Sequence, residues 1–384
     1  MSLHNYIERH IVDLPKHILS IEDLTIGQIN YIFGLTDELK ENPDISEYYD
    51  ILKEKCVFSH FEEASSRTRL SSERAAYDLG VFGNHLGPGE SSVEKGEILE
   101  DIVNTYETNK ANILVIRGDY DLKYQLTEEQ LINCKTRLIN AGDKREHPTQ
   151  ALLDLYLLMK KANVDDIRDL NLDVVFVGHT NGYRAAQSLV KGLTKYTRCN
   201  VSNILPVGGE AMGMEWGLKN VVKLKVYPYP YVTELENIDI DNIKELEVYN
   251  EEDAQSIDRW LIKGDELEMF ISSRKQYQEK LAEGIKNADV LYFCRSTNKG
   301  DPAIVHGLTP RFVDENAKDT MSIMHPRPIG CKELDRRFDN TKRDFYTYAQ
   351  PIAGYDVRKA LFFAMLIEDN LLNNTYQATL EDFV

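Results

Sequence analysis

The stretch Ser65-Ser66-Arg67-Thr68-Arg69 sets three hydroxyls and two guanidiniums within five residues. It follows the apolar run KCVFSHF, which reads as a strand, and opens RTRLSSERAAYDLG, which reads as a helix. Donors at a strand-to-helix junction suit an anion. The first N–H groups of the helix point at it, the dipole favours negative charge, and guanidinium forks match phosphate or carboxylate oxygens. The same residues also allow an N-cap serine with surface arginines paired to Glu62, Glu63 and Glu73. A second cluster, His147-Pro148-Thr149-Gln150, heads a long helix. There a histidine can donate to a carbonyl oxygen and a glutamine can accept from an amide, or the group can simply cap the helix. A third candidate, Arg117 in ILVIRGD, ends a buried strand, where open α/β sheets bind ligands; it could equally be a paired structural arginine.

The elements that must position these residues alternate. KCVFSHF leads to a helix, EKGEILEDIVNTYE to the strand ANILVIRG, and LDVVFVGH to the helix GYRAAQSLVKGLTKY; ADVLYFCRS is another buried strand. Such alternation predicts parallel sheets with crossover helices. The helix HPTQALLDLYLLMKKAN carries Pro148 in its first turn and a wide apolar face through Leu152, Leu153, Tyr156, Leu157 and Met159. The connector VDDIRDLN after it places a domain boundary near residue 165. The expected architecture is α/β, with two domains (1–164 and 165–353), each a mainly parallel sheet flanked by helices. A C-terminal helix, about 354–374, is expected to pack back on the first domain. No internal repeat or low-complexity tract interrupts the pattern.

Composition narrows the function. The chain has 384 residues, 42% hydrophobic and 28% charged, which suits two globular domains. No apolar run approaches the ~18 residues of a membrane span, and the N-terminus reads as neither a signal nor a transit peptide. The net charge of −18 argues against nucleic acid, which needs a basic footprint. Cys56, Cys134, Cys199, Cys294 and Cys331 are odd in number and lack CxxC spacing, so buried thiols in a reducing cytoplasm are expected and no zinc site is visible. Between Glu234 and Glu268 thirteen acidic residues face three basic ones. That acidic stretch, about 229–275, reads as a solvated surface insertion, with a partner site or a lid as alternatives. Trp260 within it suits local packing or a docking face.

The three donor-rich clusters fall at strand ends or helix starts of one domain. Together they describe a ligand that is phosphate on one side and a planar carbonyl-amide on the other, as carbamoyl phosphate is. The sequence resembles the aspartate/ornithine carbamoyltransferase family, on its aspartate branch. SSRTR is similar to the family's S-T-R-T-R, EHPTQALLDL to its H-P-T-Q helix, and SSVEKGEILED to a swinging loop with a K-G-E lysine. FVGHTNGYRAAQSL, VLYFCRS, SIMHPRP and YAQPIAGYDVRKALFFAML resemble its later strands, its H-P-L-P turn and its final helix, all in family order.

The resemblance implies an active site in the interdomain cleft that holds carbamoyl phosphate and L-aspartate and makes N-carbamoyl-L-aspartate, a step of pyrimidine biosynthesis. It implies that Ser65, Ser66, Arg67 and Thr68 hold the phosphate, helped by Ser91 and Lys95 of a neighbouring chain in a homotrimer. Thr68, Arg117 and His147 would contact the carbonyl oxygen, with Gln150 and the Pro326 carbonyl on the amide. Arg184 and Arg295 would bind the carboxylates of aspartate. No cofactor or metal is implied, and a separate regulatory subunit is compatible.

The amino-acid half departs from the pattern. Ser66 replaces a threonine, Ala185 a hydroxyl residue and Thr297 a glutamine, while Arg327 replaces the leucine of H-P-L-P and Ile329 the arginine after it. Arg327 either points to solvent or pairs with a substrate carboxylate. These departures leave two alternatives: a carbamoyltransferase for another amino or amide acceptor, or a non-catalytic relative acting as a binding or scaffold subunit.

Overall fold

The computed structural model describes residues 3–90, 96–205, 220–223, 245–253, 256–294, 307–329 and 334–381. The helices in chain order are α1 (Leu3–His10), α2 (Ile26–Glu41), α3 (Tyr49–Leu52), α4 (Ser66–Asp78), α5 (Leu99–Thr108), α6 (Leu122–Gln125), α7 (Glu128–Asn133), α8 (Pro148–Ala162), α9 (Arg184–Tyr196), α10 (Asp265–Ile285), α11 (Pro310–Asn316) and α12 (Ala349–Glu381). The strands are β1 (Cys56–Phe61), β2 (Phe82–Leu86), β3 (Ile113–Arg117), β4 (Arg137–Asn140), β5 (Asp173–Val177), β6 (Asn200–Leu205), β7 (Asn220–Lys223), β8 (Glu245–Asp253), β9 (Ser256–Lys263), β10 (Val290–Phe293) and β11 (Ser322–Met324). The chain forms two compact units, one of residues 1–171, 182–199 and 345–384, the other of 172–181 and 200–344.

The first unit is built on a four-stranded parallel sheet of order β2-β1-β3-β4. Strand β3 is buried from Ile113 to Ile116, as a strand covered on both faces requires. The chain runs outward from β1 to β2, then returns to the other side of β1 for β3. The reversal point therefore lies between the carboxyl ends of β1 and β3, where sheets of this kind open a crevice. The register pairs Phe61 with Arg117, and the Glu62 N–H donates to the Arg117 carbonyl at 2.9 Å. Residues after β1 are thereby delivered beside the end of β3. Phe58, Leu114, Ile116 and Leu138 share one core cluster with Leu99, Ile102 and Val103 of α5. Helix α12 packs against α2, α4 and α8, burying Val357, Leu361, Phe362, Phe363 and Met365.

Helix α9 lies in this unit, whereas the strand-helix order of the sequence suggests the second domain. Its contacts explain the difference. Leu189, Val190 and Leu193 are fully buried, and Gly192 lets α8 approach so closely that a Cβ there would lie 2.9 Å from Leu155 Cδ1. The Tyr196 hydroxyl donates to the carbonyls of Ile21 and Leu24 at 3.1 and 2.6 Å.

The second unit carries a five-stranded parallel sheet of order β11-β10-β5-β6-β7. Its reversal point lies between β5 and β10, both buried. Within the acidic stretch, β8 and β9 form an antiparallel pair whose register runs from Glu245↔Lys263 to Asp253↔Ser256, with a bulge between Glu251 and Asp253. The charge density of this stretch, with acids at Glu245, Glu247, Glu251, Glu252 and Asp253, reads as solvated surface, whereas its backbone forms a hairpin. Among the described residues no helix is long and apolar enough to cross a membrane.

Candidate functional site

The site residues of the first unit are carried by the carboxyl ends of β1, β3 and β4. After β1 the chain turns through Glu62–Ser65 into α4. Ser65 is the N-cap residue, yet its side chain makes no capping hydrogen bond. The donor-rich helix start is therefore not closed by its own serine. Ser66 and Arg67 are exposed at the helix start, Ser65 is half-buried and Thr68 is buried. Arg69 is committed elsewhere, donating to Glu73 one turn on at 2.7 Å.

Arg117 ends β3 with a side chain only 12% exposed. Its Nη1 donates to the Ala141 carbonyl at 3.0 Å, and its Nη2 lies 3.4 Å from Glu63 Oε2. The same Glu63 oxygen takes Nη2 of Arg184, whose Nη1 donates to the Gly142 and Asp143 carbonyls at 3.2 and 2.8 Å. Two guanidiniums thereby converge on the loop after β4. Gly142, at φ 116°, is what permits it: a Cβ there would fall 2.6 Å from Arg117 Nη1.

His147 is the N-cap residue of α8 and is 5% exposed. Its N–H donates to Ser188 Oγ at 2.8 Å, and that hydroxyl lies 3.2 Å from Glu146 Oε2. Glu146 in turn accepts from Ser20 and Lys191 at 2.8 and 2.5 Å, which pins the start of α8 to α9. Burial, reinforced by the nearby guanidiniums of Arg117, Arg358 and Arg184, holds the imidazole pKa well below its usual value. His147 is therefore a neutral hydrogen-bonding group at neutral pH, not a cation. Gln150, also buried, donates its Nε2 to both oxygens of Asp154 at 3.1 and 3.2 Å. The carbonyl oxygen of Gln150 is thus the end available to accept.

In the second unit, Pro326 and Arg327 follow β11 and are half-buried. Arg327 has φ 50° and its N–H donates to His325 Nδ1 at 2.8 Å. Ser91, Lys95, Arg295 and Thr297 lie outside the described residues. Ala185 is buried in the first turn of α9. The structure adds four residues that the sequence reading did not assign to the site: Asp154, Arg358, Glu146 and, as the shared partner of Arg117 and Arg184, Glu63. One had a readable signal, Asp154 as the i+4 partner of Gln150.

Residues 16–160 match the carbamoyl-phosphate-binding domain of aspartate/ornithine carbamoyltransferases. The chain is 30% identical over 356 residues to the aspartate carbamoyltransferase catalytic subunit of Aliivibrio fischeri, covering 92% of this chain and 97% of that one. The chain belongs to the aspartate/ornithine carbamoyltransferase family. The catalytic subunit from Clostridium perfringens is 29% identical over 365 residues, with 92% and 98% covered. Carbamoyltransferase structures share the fold: aspartate transcarbamoylase of Trypanosoma cruzi in complex with N-(phosphonacetyl)-L-aspartic acid aligns with a TM-score of 0.64 at 21% identity, covering 92% of this chain and 98% of that one. The M. jannaschii catalytic subunit aligns at 0.62 and 23%, covering 93% and 99%. In this member of the carbamoyltransferase family, the phosphate motif, Arg117, His147, Gln150 and Arg184 all lie in one compact unit.

Proposed function

We propose that the protein transfers the carbamoyl group of carbamoyl phosphate to the amine of L-aspartate, giving N-carbamoyl-L-aspartate and phosphate for pyrimidine biosynthesis. The observation that carries this reading is the convergence of Arg117, Arg184 and a buried, neutral His147 on the loop after β4.

The roles follow from what each group can do. The start of α4, with Ser65, Ser66, Arg67 and Thr68, takes the phosphate. Attack of the neutral amine on the carbamoyl carbon forms the new C–N bond and a tetrahedral centre whose oxygen becomes anionic. Thr68, Arg117 and His147 donate to that oxygen; one such donor is typically worth ~2.7–4 kcal/mol of barrier. A neutral imidazole donates here without giving up its proton. The C–O bond to phosphate then breaks, and the leaving phosphate accepts the amine proton, so no protein base is needed. Gln150 and the Pro326 carbonyl orient the carbamoyl amide, while Arg184 and Arg295 hold the aspartate carboxylates. Holding two anions in attack geometry supplies much of the remaining acceleration. Residues 1–171 with α9 and α12 serve as the carbamoyl-phosphate-binding unit, and the other unit together with Arg184 of α9 takes aspartate.

The active form is a homotrimer in which Ser91 and Lys95 of one chain complete the site of the next. An apolar face supports this: Leu70 and Tyr77, two turns apart on α4, are 62% and 74% exposed. Large exposed apolar side chains gathered on one surface mark protein contacts. The protein is expected to act in the cytoplasm.

The deciding experiment measures carbamoyl-aspartate formed by purified protein from both substrates, beside Arg67→Ala. Turnover that disappears in the variant supports the assignment. A wild type that is protected from heat by carbamoyl phosphate but forms no product with aspartate redirects the search to another acceptor. Absence of both responses favours a non-catalytic scaffold.

A further inference from the structure

The carbamoyl group asks opposite things of its two neighbours. Its carbonyl oxygen needs a donor and its amide nitrogen needs an acceptor. Histidine and glutamine can each present either kind of atom, so neighbouring groups must fix which one faces the ligand.

Helix α12 reaches both side chains through one intermediate each, Thr149 for His147 and Asp154 for Gln150. Arg358 is 4% exposed, and burial lowers its guanidinium pKa to about 10, against the pull of Asp154. Its Nη1 donates to Ser71 Oγ at 3.1 Å and to the Gly354 carbonyl at 2.7 Å, and its Nη2 donates to Thr149 Oγ1 at 3.2 Å. Thr149 Oγ1 lies 3.4 Å from His147 Nδ1. With one lone pair occupied by the guanidinium N–H, the Thr149 hydroxyl can turn its own proton toward Nδ1, making Nδ1 the acceptor. A neutral ring then carries its single proton on Nε2.

The glutamine is oriented in the same manner. Asp154 is fully buried and takes Nε2 of Gln150 together with Nε2 of Gln350, the latter at 2.7 Å. A carboxylate offers only acceptors, so it selects the nitrogen end of Gln150 and leaves Oε1 to receive an N–H.

We propose that Arg358 and Thr149 hold His147 as an Nε2–H donor while Asp154 and Gln350 hold Gln150 as an Oε1 acceptor, so that α12 sets which end of a carbamoyl group each side chain reads. The proposal rests on the carbamoyl-transfer reading. Arg358, Thr149, Asp154 and Gln350 act through His147 and Gln150 and are positioning residues.

Ring-15N histidine labelling of the whole protein tests the first half, with His147→Asn identifying the resonance among the nine histidines. At pH 7 the wild type should show a protonated Nε2 and a hydrogen-bonded, unprotonated Nδ1. Thr149→Val, close to isosteric, and Arg358→Gln should move the Nδ1 signal; Arg358→Lys should restore it in part. Arg358→Gln should also lower kcat by about tenfold or more, with the KM for aspartate little changed. A proton on Nδ1 in the wild type, or a signal unmoved by both variants, overturns this half. For the second half, binding of carbamoyl phosphate is compared with acetyl phosphate, whose methyl cannot donate. Asp154→Asn should narrow the wild-type preference for carbamoyl phosphate by about tenfold, and an unchanged ratio overturns it. Protection of each variant from heat by inorganic phosphate shows that its site is formed. Neither readout needs turnover, so a wild type that makes no carbamoyl-aspartate overturns the functional reading while these measurements still judge the proposal.

Discussion

Glu63 Oε2 lies 3.4 Å from the Arg117 guanidinium and takes the guanidinium of Arg184 as well. One carboxylate therefore spaces two cations whose side chains are only 12% and 18% exposed. Glu63→Gln keeps the shape but removes the charge, leaving the two guanidiniums to repel each other across poorly solvated space. The expected outcome is a fall of about 10–100-fold in kcat/KM for aspartate, the range for losing a charge-assisted hydrogen bond of ~1.5–3 kcal/mol. Steady-state kinetics check it. Heat protection by phosphate should survive, because the start of α4 is untouched.

Glu62 and His60 predict a pH effect of defined sign. His60 Nε2 lies 3.4 Å from Glu62 Oε1. Burial lowers the His60 pKa to about 4, while burial and the charges of Asp119, Glu63 and Glu97 raise that of Glu62 to about 7. Between those values the contact joins a neutral imidazole and a protonated acid, so it is not an ion pair. The folded protein holds a proton on Glu62 that the unfolded chain releases near 4.5. Its contribution to stability is therefore present at low pH, is lost as pH rises from about 4.5 to 7, and stays lost above. Glu62→Gln should be more stable than the wild type at pH 8 by about 1–2 kcal/mol, after allowance for solvent screening, with the gap closing toward pH 4.5. Urea unfolding at both pH values measures it. A gap that does not change with pH would contradict the assignment.

The apolar face of α4 makes a prediction about assembly. Leu70→Glu places a charge where a neighbouring chain is proposed to pack, at a surface position whose change leaves the core intact. Light scattering should show the oligomer replaced by monomers with unchanged helical content. Activity should fall with the oligomer, because Ser91 and Lys95 are assigned to a neighbour's site. A variant that remains trimeric, or a fully active monomer, would place the interface or the shared residues elsewhere.

The parallel α/β architecture was legible because it rests on local patterns. Buried runs such as ILVIR and VLYF alternate with amphipathic helices, and each signal is contained within some ten residues. The placement of Ser65–Thr68, Arg117 and His147–Gln150 at strand ends or helix starts was legible for the same reason. Each combines a residue type with a place at a strand end or helix start. The β8–β9 hairpin was hidden by its charge, since a half-solvated strand can carry acids on alternate positions without losing its backbone ladder.

What only the tertiary structure decided is which distant groups meet. Glu63 and Arg184 are 121 positions apart, and Thr149 and Arg358 are 209 apart. Nothing in the neighbourhood of either residue names its partner. The packing of α9 on α8 depends on a glycine that admits Leu155, and the crossing of α12 over α4 and α8 brings Arg358 to Ser71 and Thr149. Local chemistry selected the donors and acceptors in the sequence, but their direction and pairing were set by the contacts made when the chain folded, because a hydrogen bond is specified by geometry between groups and not by either group alone.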